Sequence, residues 1–156
     1  DKSSNKKKPK TAFGAYLNNS ITLSNFTEAN LTGWTEEYDV GDAFDPATGE
    51  YTAPEDGVYI ISTKVRFFKD VVTITDAPVF TKIKVNGGVL PGFGQKYDRV
   101  TLGNSYGEDV TLSTQVKLEK NDVVSLSATI VTGGPTALIT GNGGSADSFF
   151  SIVLAE

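Results

Sequence analysis

The chain has no cysteine, no histidine and no methionine among its 156 residues. The missing cysteine excludes disulfides, thiolate metal sites and a Cys nucleophile. The missing histidine excludes Ser-His-Asp and Cys-His catalysis and the commonest zinc ligand. Carboxylates, Lys, Tyr, Ser and Thr are what remains for chemistry, and no enzyme is expected. A translated chain starts with Met, so Asp1 is read as the start of a processed form or of an excised piece, with any signal peptide removed. No window approaches the roughly 20 apolar residues of a membrane helix, so no membrane insertion is expected. From Thr11 onward, no stretch holds an apolar period of 3.6 for several turns.

What is present is a chain of 16.6 kDa with 38% apolar and 21% charged residues, which fits one soluble globular domain. Its charge is uneven. Of 14 basic and 19 acidic residues, residues 1–10 take five lysines and one aspartate, which leaves 11–156 with nine basic against eighteen acidic. So acidic a body offers no duplex-binding face, and no nucleic-acid partner is expected. The run Lys6-Lys7-Lys8-Pro9-Lys10 has the composition of a nuclear address, a polyanion-binding arm or a linker. Ser, Asn, Lys and Pro cannot pack, so residues 1–10 are read as a disordered basic lead or linker, and 11–156 as the domain.

Within the domain, side chains alternate with period two. Leu112, Thr114, Val116 and Leu118 alternate with Thr111, Ser113, Gln115 and Lys117. Val124, Leu126, Ala128 and Ile130 alternate with Ser125, Ser127 and Thr129. Asn86-Gly87, Lys120-Asn121-Asp122, Gly133-Gly134-Pro135 and Gly141-Asn142-Gly143-Gly144 punctuate these runs, and Asn86-Gly87 predicts a hairpin turn with positive φ. Short strands with Gly-rich turns predict an all-β antiparallel jelly-roll sandwich of about ten strands.

Three segments break the alternation: Thr11 to Leu17, Gly57 to Phe68, and Ser148 to Leu154 carry apolar groups on both faces. An antiparallel sandwich needs apolar side chains on one face only. The second face of these strands therefore predicts a cover, most simply another copy of the chain.

Residues 39–59, Asp-Val-Gly-Asp-Ala-Phe-Asp-Pro-Ala-Thr-Gly-Glu-Tyr-Thr-Ala-Pro-Glu-Asp-Gly-Val-Tyr, resemble the C1q globular head, a branch of the tumour-necrosis-factor-like jelly rolls. Asp39, Phe44, Tyr51, Gly57 and Tyr59 fall at the spacings of that family's pattern. Ala12-Phe13-Gly14-Ala15 is similar to its first strand, Val116 to Val124 to a late hairpin, and Ser148 to Leu154 to its last strand. Gly33 stands where the pattern has a leading Phe, and Ile61 and Thr63 where it has later aromatics. The resemblance covers about residues 11–156. It implies a homotrimer, and the doubly apolar strands then supply its interface: Phe13, Tyr16, Tyr59, Ile61, Phe149, Phe150 and Ile152. Which of Phe149 and Phe150 faces the axis stays open at this point.

Other candidates are weighed against plain surface. The acidic run of Glu36, Glu37, Asp39, Asp42 and Asp45 has the oxygen chemistry of hard cations. The resemblance admits calcium, with Asp39, Asp42 and Asp45 as ligands; no cofactor is required. A solvated acidic surface is the competing reading. For ligand recognition, Gly92 to Arg99 is the favoured surface loop. Rings beside amides and charges suit sugars, and Phe93, Gln95, Lys96, Tyr97, Asp98 and Arg99, with Tyr106, are the candidates. Trp34 is read as a core or interface residue.

The favoured function is a non-catalytic trimeric head that binds a protein or glycan at the tip of a secreted, cell-surface, spore-surface or virion fibre. The location follows from the resemblance. The alternatives are a structural trimerisation or coat cap with no specific ligand, and a monomeric carbohydrate-binding jelly roll.

Overall fold

The computed structural model describes residues 11–69, 73–90, 94–103, 106–134, 136–140 and 148–155, and of Tyr106 the backbone alone. The strands, in chain order, are β1 (Ala12–Leu17), β2 (Ile21–Leu23), β3 (Ala29–Asn30), β4 (Trp34–Val40), β5 (Phe44–Asp45), β6 (Glu50–Thr52) and β7 (Gly57–Lys69). They continue with β8 (Ile74–Val85), β9 (Gly88–Val89), β10 (Gln95–Leu102), β11 (Tyr106–Leu118), β12 (Val123–Ile130), β13 (Ala137–Ile139) and β14 (Phe149–Leu154). Among the described residues there is no helix. The eight strands of six or more residues make the body of the sandwich.

Two sheets face each other. The first has the order β2-β13-β7-β14-β1-β4, with β11 on the other edge of β7; the second runs β10-β8-β12-β6-β5, with β3 on β12 and β9 on β8. Every pairing between these strands is antiparallel. The first and last strands, β1 and β14, are neighbours at the centre of the first sheet. That chain crossing is the jelly-roll signature expected of a closed double-sheet sandwich.

The core lies between the sheets and is aromatic at one end. Phe13 stacks on Phe44 with centroids 4.0 Å apart, meets Phe150 edge-on at 5.0 Å, and lies 5.3 Å from Tyr51. Tyr51 in turn meets Tyr59 at 6.0 Å. The motif residues Phe44, Tyr51 and Tyr59 thus converge with the first and last strands. The motif is a folding device: its rings bind four distant segments into one cluster. Asp39 has a matching role, since its carboxylate accepts the backbone N–H groups of Ala43 and Phe44 at 3.3 and 3.0 Å. Two otherwise unpaired donors of that bend are satisfied this way.

The turn chemistry follows the residues. Asn86 and Gly87 have φ of 52° and 81°, the type I′ geometry that matches strand twist, and they join β8 to β9. In Asp45-Pro46-Ala47-Thr48-Gly49 the Asp45 carboxylate accepts the Ala47 N–H at 2.9 Å, and Gly49 donates to the Asp45 carbonyl at 2.8 Å. Gly134, at φ 153°, is the last described residue of its turn, whereas the segment 141–147 lies outside the described residues. So do residues 1–10.

Candidate functional site

Cross-strand register fixes what the first sheet presents to solvent. Opposed residues in antiparallel strands share a face, so the pairings sort the outward side chains into rows. One row runs Val40 on β4, Ala12 on β1, Val153 on β14, Ile60 on β7 and Gln115 on β11. The next runs Tyr38, Gly14, Ser151, Ser62 and Ser113. The third holds Thr35, Tyr16, Phe149, Lys64 and Thr111. Apolar groups thus line one end of the face, small hydroxyls its middle, and two rings beside a lysine its other end.

The close approach in the second row depends on a glycine. A Cβ on Gly14 would lie 2.7 Å from the Tyr38 ring, so only glycine lets that ring lie flat over β1. Beside it, between Tyr38, Tyr16 and Phe149, is a depression of about 270 Å³ floored by Gly14 and Ala15. The Lys64 ammonium sits 5.8 Å from the centre of the Phe149 ring. Of the seven large apolar side chains left exposed among the described residues, four are on this face: Tyr38, Val40, Val58 and Val153. Single exposed apolar groups are ordinary, but four gathered on one sheet face form a patch.

The interface residues expected from sequence divide by phase. Tyr16 and Phe149 are outward and half-buried. Phe13, Tyr59, Ile61, Phe150 and Ile152 are inward and at most 1% exposed, so they have no surface left for a neighbour. The correction is a shift by one residue along each strand. Apolar residues occupy both faces there, so the pattern gives no preference between the two phases, and only register decides. The outward set is Tyr16 and Phe149 together with Ala12, Gly14, Tyr38, Val40, Val58, Ile60 and Val153. Trp34 is buried as a core residue, and its Nε1 donates to the Leu31 carbonyl at 2.8 Å.

The segment expected as a recognition loop is a strand. Gln95 to Arg99 belong to β10, an edge of the second sheet. All five side chains are exposed, which is why the stretch reads as a loop in sequence. Gln95, Tyr97 and Arg99 oppose Lys82, Phe80 and Pro78 and lie on the outward face. Lys96 and Asp98 lie on the other side of the strand. Phe93 is outside the described residues, as is the Tyr106 side chain.

Two carboxylates of the acidic run already serve the backbone. Asp39 and Asp45 bond backbone amides, as above, and Asp42 is exposed in the left-handed region at φ 53°. Among the described residues, no group of three or more carboxylates could hold a metal ion. The charges still act on one another. The Glu36 carboxyl is raised above its ordinary range, first by partial desolvation, then by the nearby charges of Asp39, Asp42 and Asp45.

No family model and no curated protein matches this chain. Solved structures do. The globular domain of zebrafish complement 1qA aligns with a TM-score of 0.61 and 16% identity, over 94% of this chain and 98% of that one. Murine APRIL at pH 5.0 aligns at 0.59 with 10% identity, over 92% and 98%. The Eiger TNF of S. frugiperda aligns at 0.60 with 14% identity, over 96% and 94%. The chain therefore has the C1q/TNF-like jelly-roll fold. Identities this low carry the fold alone. Among the described residues, no helix is long and apolar enough to cross a membrane.

Proposed function

We propose that the chain is a non-catalytic binding head that assembles as a homotrimer through the outward face of its first sheet. The observation that carries this reading is the apolar row of Val40, Ala12, Val153 and Ile60, with Val58 beside it and Tyr38 over Gly14. A face covered by the same face of another copy would close a dimer. A face covered by a different edge of the neighbour closes a ring where the rotation closes, and the ring proposed for this chain has three copies. The polar remainder of the face, with Ser62, Ser113 and Ser151, suits an interface of mixed character.

The head reading follows from the residue supply and the fold. Without His and Cys the chain lacks the two residue types most used for acid-base and nucleophilic work, whereas a rigid sandwich suits recognition. Three copies of one weak site would grip a surface by avidity. A place at the tip of a secreted, cell-surface or virion fibre rests on the likeness of fold.

Solution mass tests the assembly. Light scattering behind a sizing column should give three chains for the wild type and one folded chain for Val153→Arg, which puts a charge into the apolar row. A wild type with the mass of one chain, or a Val153→Arg variant that stays trimeric, would overturn the reading.

A further inference from the structure

The outward face of the second sheet has features that neither folding nor assembly uses. Phe26 is 75% exposed, and its φ of 54° is in the left-handed region that a bulky residue pays to occupy. Its N–H donates to the Ile130 carbonyl at 2.8 Å, so the conformation is held. Exposed apolar area and backbone strain coincide at one ring.

That ring borders a groove of about 310 Å³, whose other walls are Glu28, Phe80, Lys82, Gln95 and Thr129. Tyr97 flanks it, with its ring tilted on Phe80 at 5.1 Å. The Tyr97 hydroxyl accepts from Arg99 Nη1 at 3.0 Å, and Arg99 is fixed in turn by Asp76, through Nε to Oδ1 at 2.7 Å and Nη2 to the carbonyl at 3.1 Å. On the groove floor the Glu28 carboxylate accepts from Lys84 at 2.6 Å and from Lys82 at 3.3 Å. These bonds, the Lys84 one foremost, hold the Glu28 carboxyl below its ordinary range.

We propose that this groove is a carbohydrate site that takes a short, uncharged oligosaccharide. Three points of chemistry select that class. A pyranose offers an apolar C–H face and a rim of hydroxyls, and the groove offers ring faces beside a carboxylate, an ammonium, an amide and a hydroxyl. Each of these polar groups can bond more than one hydroxyl, and the ion pairs fix the Glu28 carboxylate and the Lys82 ammonium in place before any ligand arrives. The charges of Lys82, Lys84 and Arg99 are largely balanced by Glu28 and Asp76, so no strong field draws a polyanion. The volume is also at the small-ligand end of binding pockets, about 300 Å³, whereas a protein partner covers about 800 Å² of each surface.

The proposal rests on the binding-head reading and deepens it. The groove is on the sheet opposite the assembly face, so each copy in a trimer would carry one. Nothing in sequence placed Phe26 there; Phe80 was legible, since it shares the parity of Lys82 and Lys84 and so the polar face of β8.

The test is a titration of the full chain with cellotetraose, xylotetraose, maltotetraose and mannotetraose, followed by amide chemical shifts. At least one sugar should give saturable shifts at Phe80, Lys82, Gln95 and Thr129 in the millimolar range. Phe26→Ala should weaken that binding about tenfold with an unchanged fold, because the ring is outside the core. Glu28→Gln should weaken it as well, by loss of the fixed acceptor. The idea fails if none of the four sugars gives saturable shifts, if the shifts map elsewhere, or if Phe26→Ala binds like the wild type. Occupation of this face by a protein alone would also overturn the sugar class. The two proposals fail separately: a single-chain mass with sugar binding intact removes the trimer, and three chains without sugar binding removes the groove.

Discussion

Gly49 has a φ of 72°, and a Cβ there would collide with the Leu31 carbonyl oxygen and lie 3.1 Å from Trp34 Nε1. The same carbonyl accepts the Trp34 indole bond. One residue type thus closes the Asp45–Gly49 turn and leaves room for the tryptophan. Gly49→Ala combines a disfavoured backbone angle with a clash against backbone that cannot move cheaply. The expected cost is about 2–4 kcal/mol, read by urea denaturation. Tyr51 is the second such position. Its hydroxyl pairs with that of Thr11 at 2.9 Å, and burial pushes its pKa up to about 12, with Thr11 acting in the opposite direction. Burial also raises Tyr59. A raised folded-state pKa favours the protonated form, so this contribution to stability is full below the unfolded tyrosine value, about 10, and is lost as pH rises from there through the folded value, about 12 for Tyr51. Ultraviolet titration should therefore show late ionisation at these two rings, joined to unfolding. Tyr51→Phe should cost about 1 kcal/mol and remove one late step.

At the scale of elements, β14 carries the sharpest contrast. Phe149 and Phe150 are adjacent and chemically identical, yet one is outward and half-buried and the other is fully buried against Phe13, Phe44 and Trp34. Phe150→Asp should abolish folding, because it places an unpaired charge in an aromatic core. Phe149→Asp should give a soluble chain with a wild-type β-sheet circular dichroism spectrum and a weakened assembly. A folded Phe150→Asp would contradict the register. The long pair β7–β11 has the same lesson in a gentler form. Thirteen matched residues run from Gly57–Leu118 to Lys69–Tyr106, and this face turns from apolar Val58 and Ile60 to polar Ser62, Lys64 and Arg66 along one strand. Sequence shows that β7 is apolar on both faces in its first half. Only the structure shows that beyond Ser62 and Lys64 the polar half of that face is closed by the ion pair of Arg66 and Asp109, at 2.9 Å.

For the whole molecule, electrostatics sets the acid limit. Glu28 is lowered first by its bond to Lys84, Asp76 by Arg99, and Asp122 by the Asn86 amide. A lowered folded-state pKa contributes stability that is present above the unfolded value, about 4, and is lost as pH falls through the folded one. Glu36 acts with the opposite sign: its raised pKa favours the acid form, so its ionisation costs stability as pH rises past its unfolded value. With the lowered groups governing, the melting temperature should be level from neutral pH to about 5 and fall below about 4. A melting temperature that rises steadily into acid would mean that the acidic run, and not Glu28, Asp76 and Asp122, governs the pH response.

The residues by themselves determine the architecture. Period-two alternation, the Asn86-Gly87 turn and the aromatic spacings of 39–59 are local, and each needs only neighbours in sequence to specify a strand or bend. The doubly apolar strands also predict, from sequence, a second cover for β1, β7 and β14. What tertiary structure alone decided is orientation and company. Where both faces are apolar, alternation leaves a two-fold choice, and cross-strand register made it: Phe13, Tyr59, Ile61, Phe150 and Ile152 went inward. Where neither face is apolar, as from Gln95 to Arg99, alternation is silent, and an edge strand looks like a loop. The groove is the extreme case. Its rings, Phe26, Phe80 and Tyr97, are far apart in the chain, and only the winding of the jelly roll carries them to one face of one sheet.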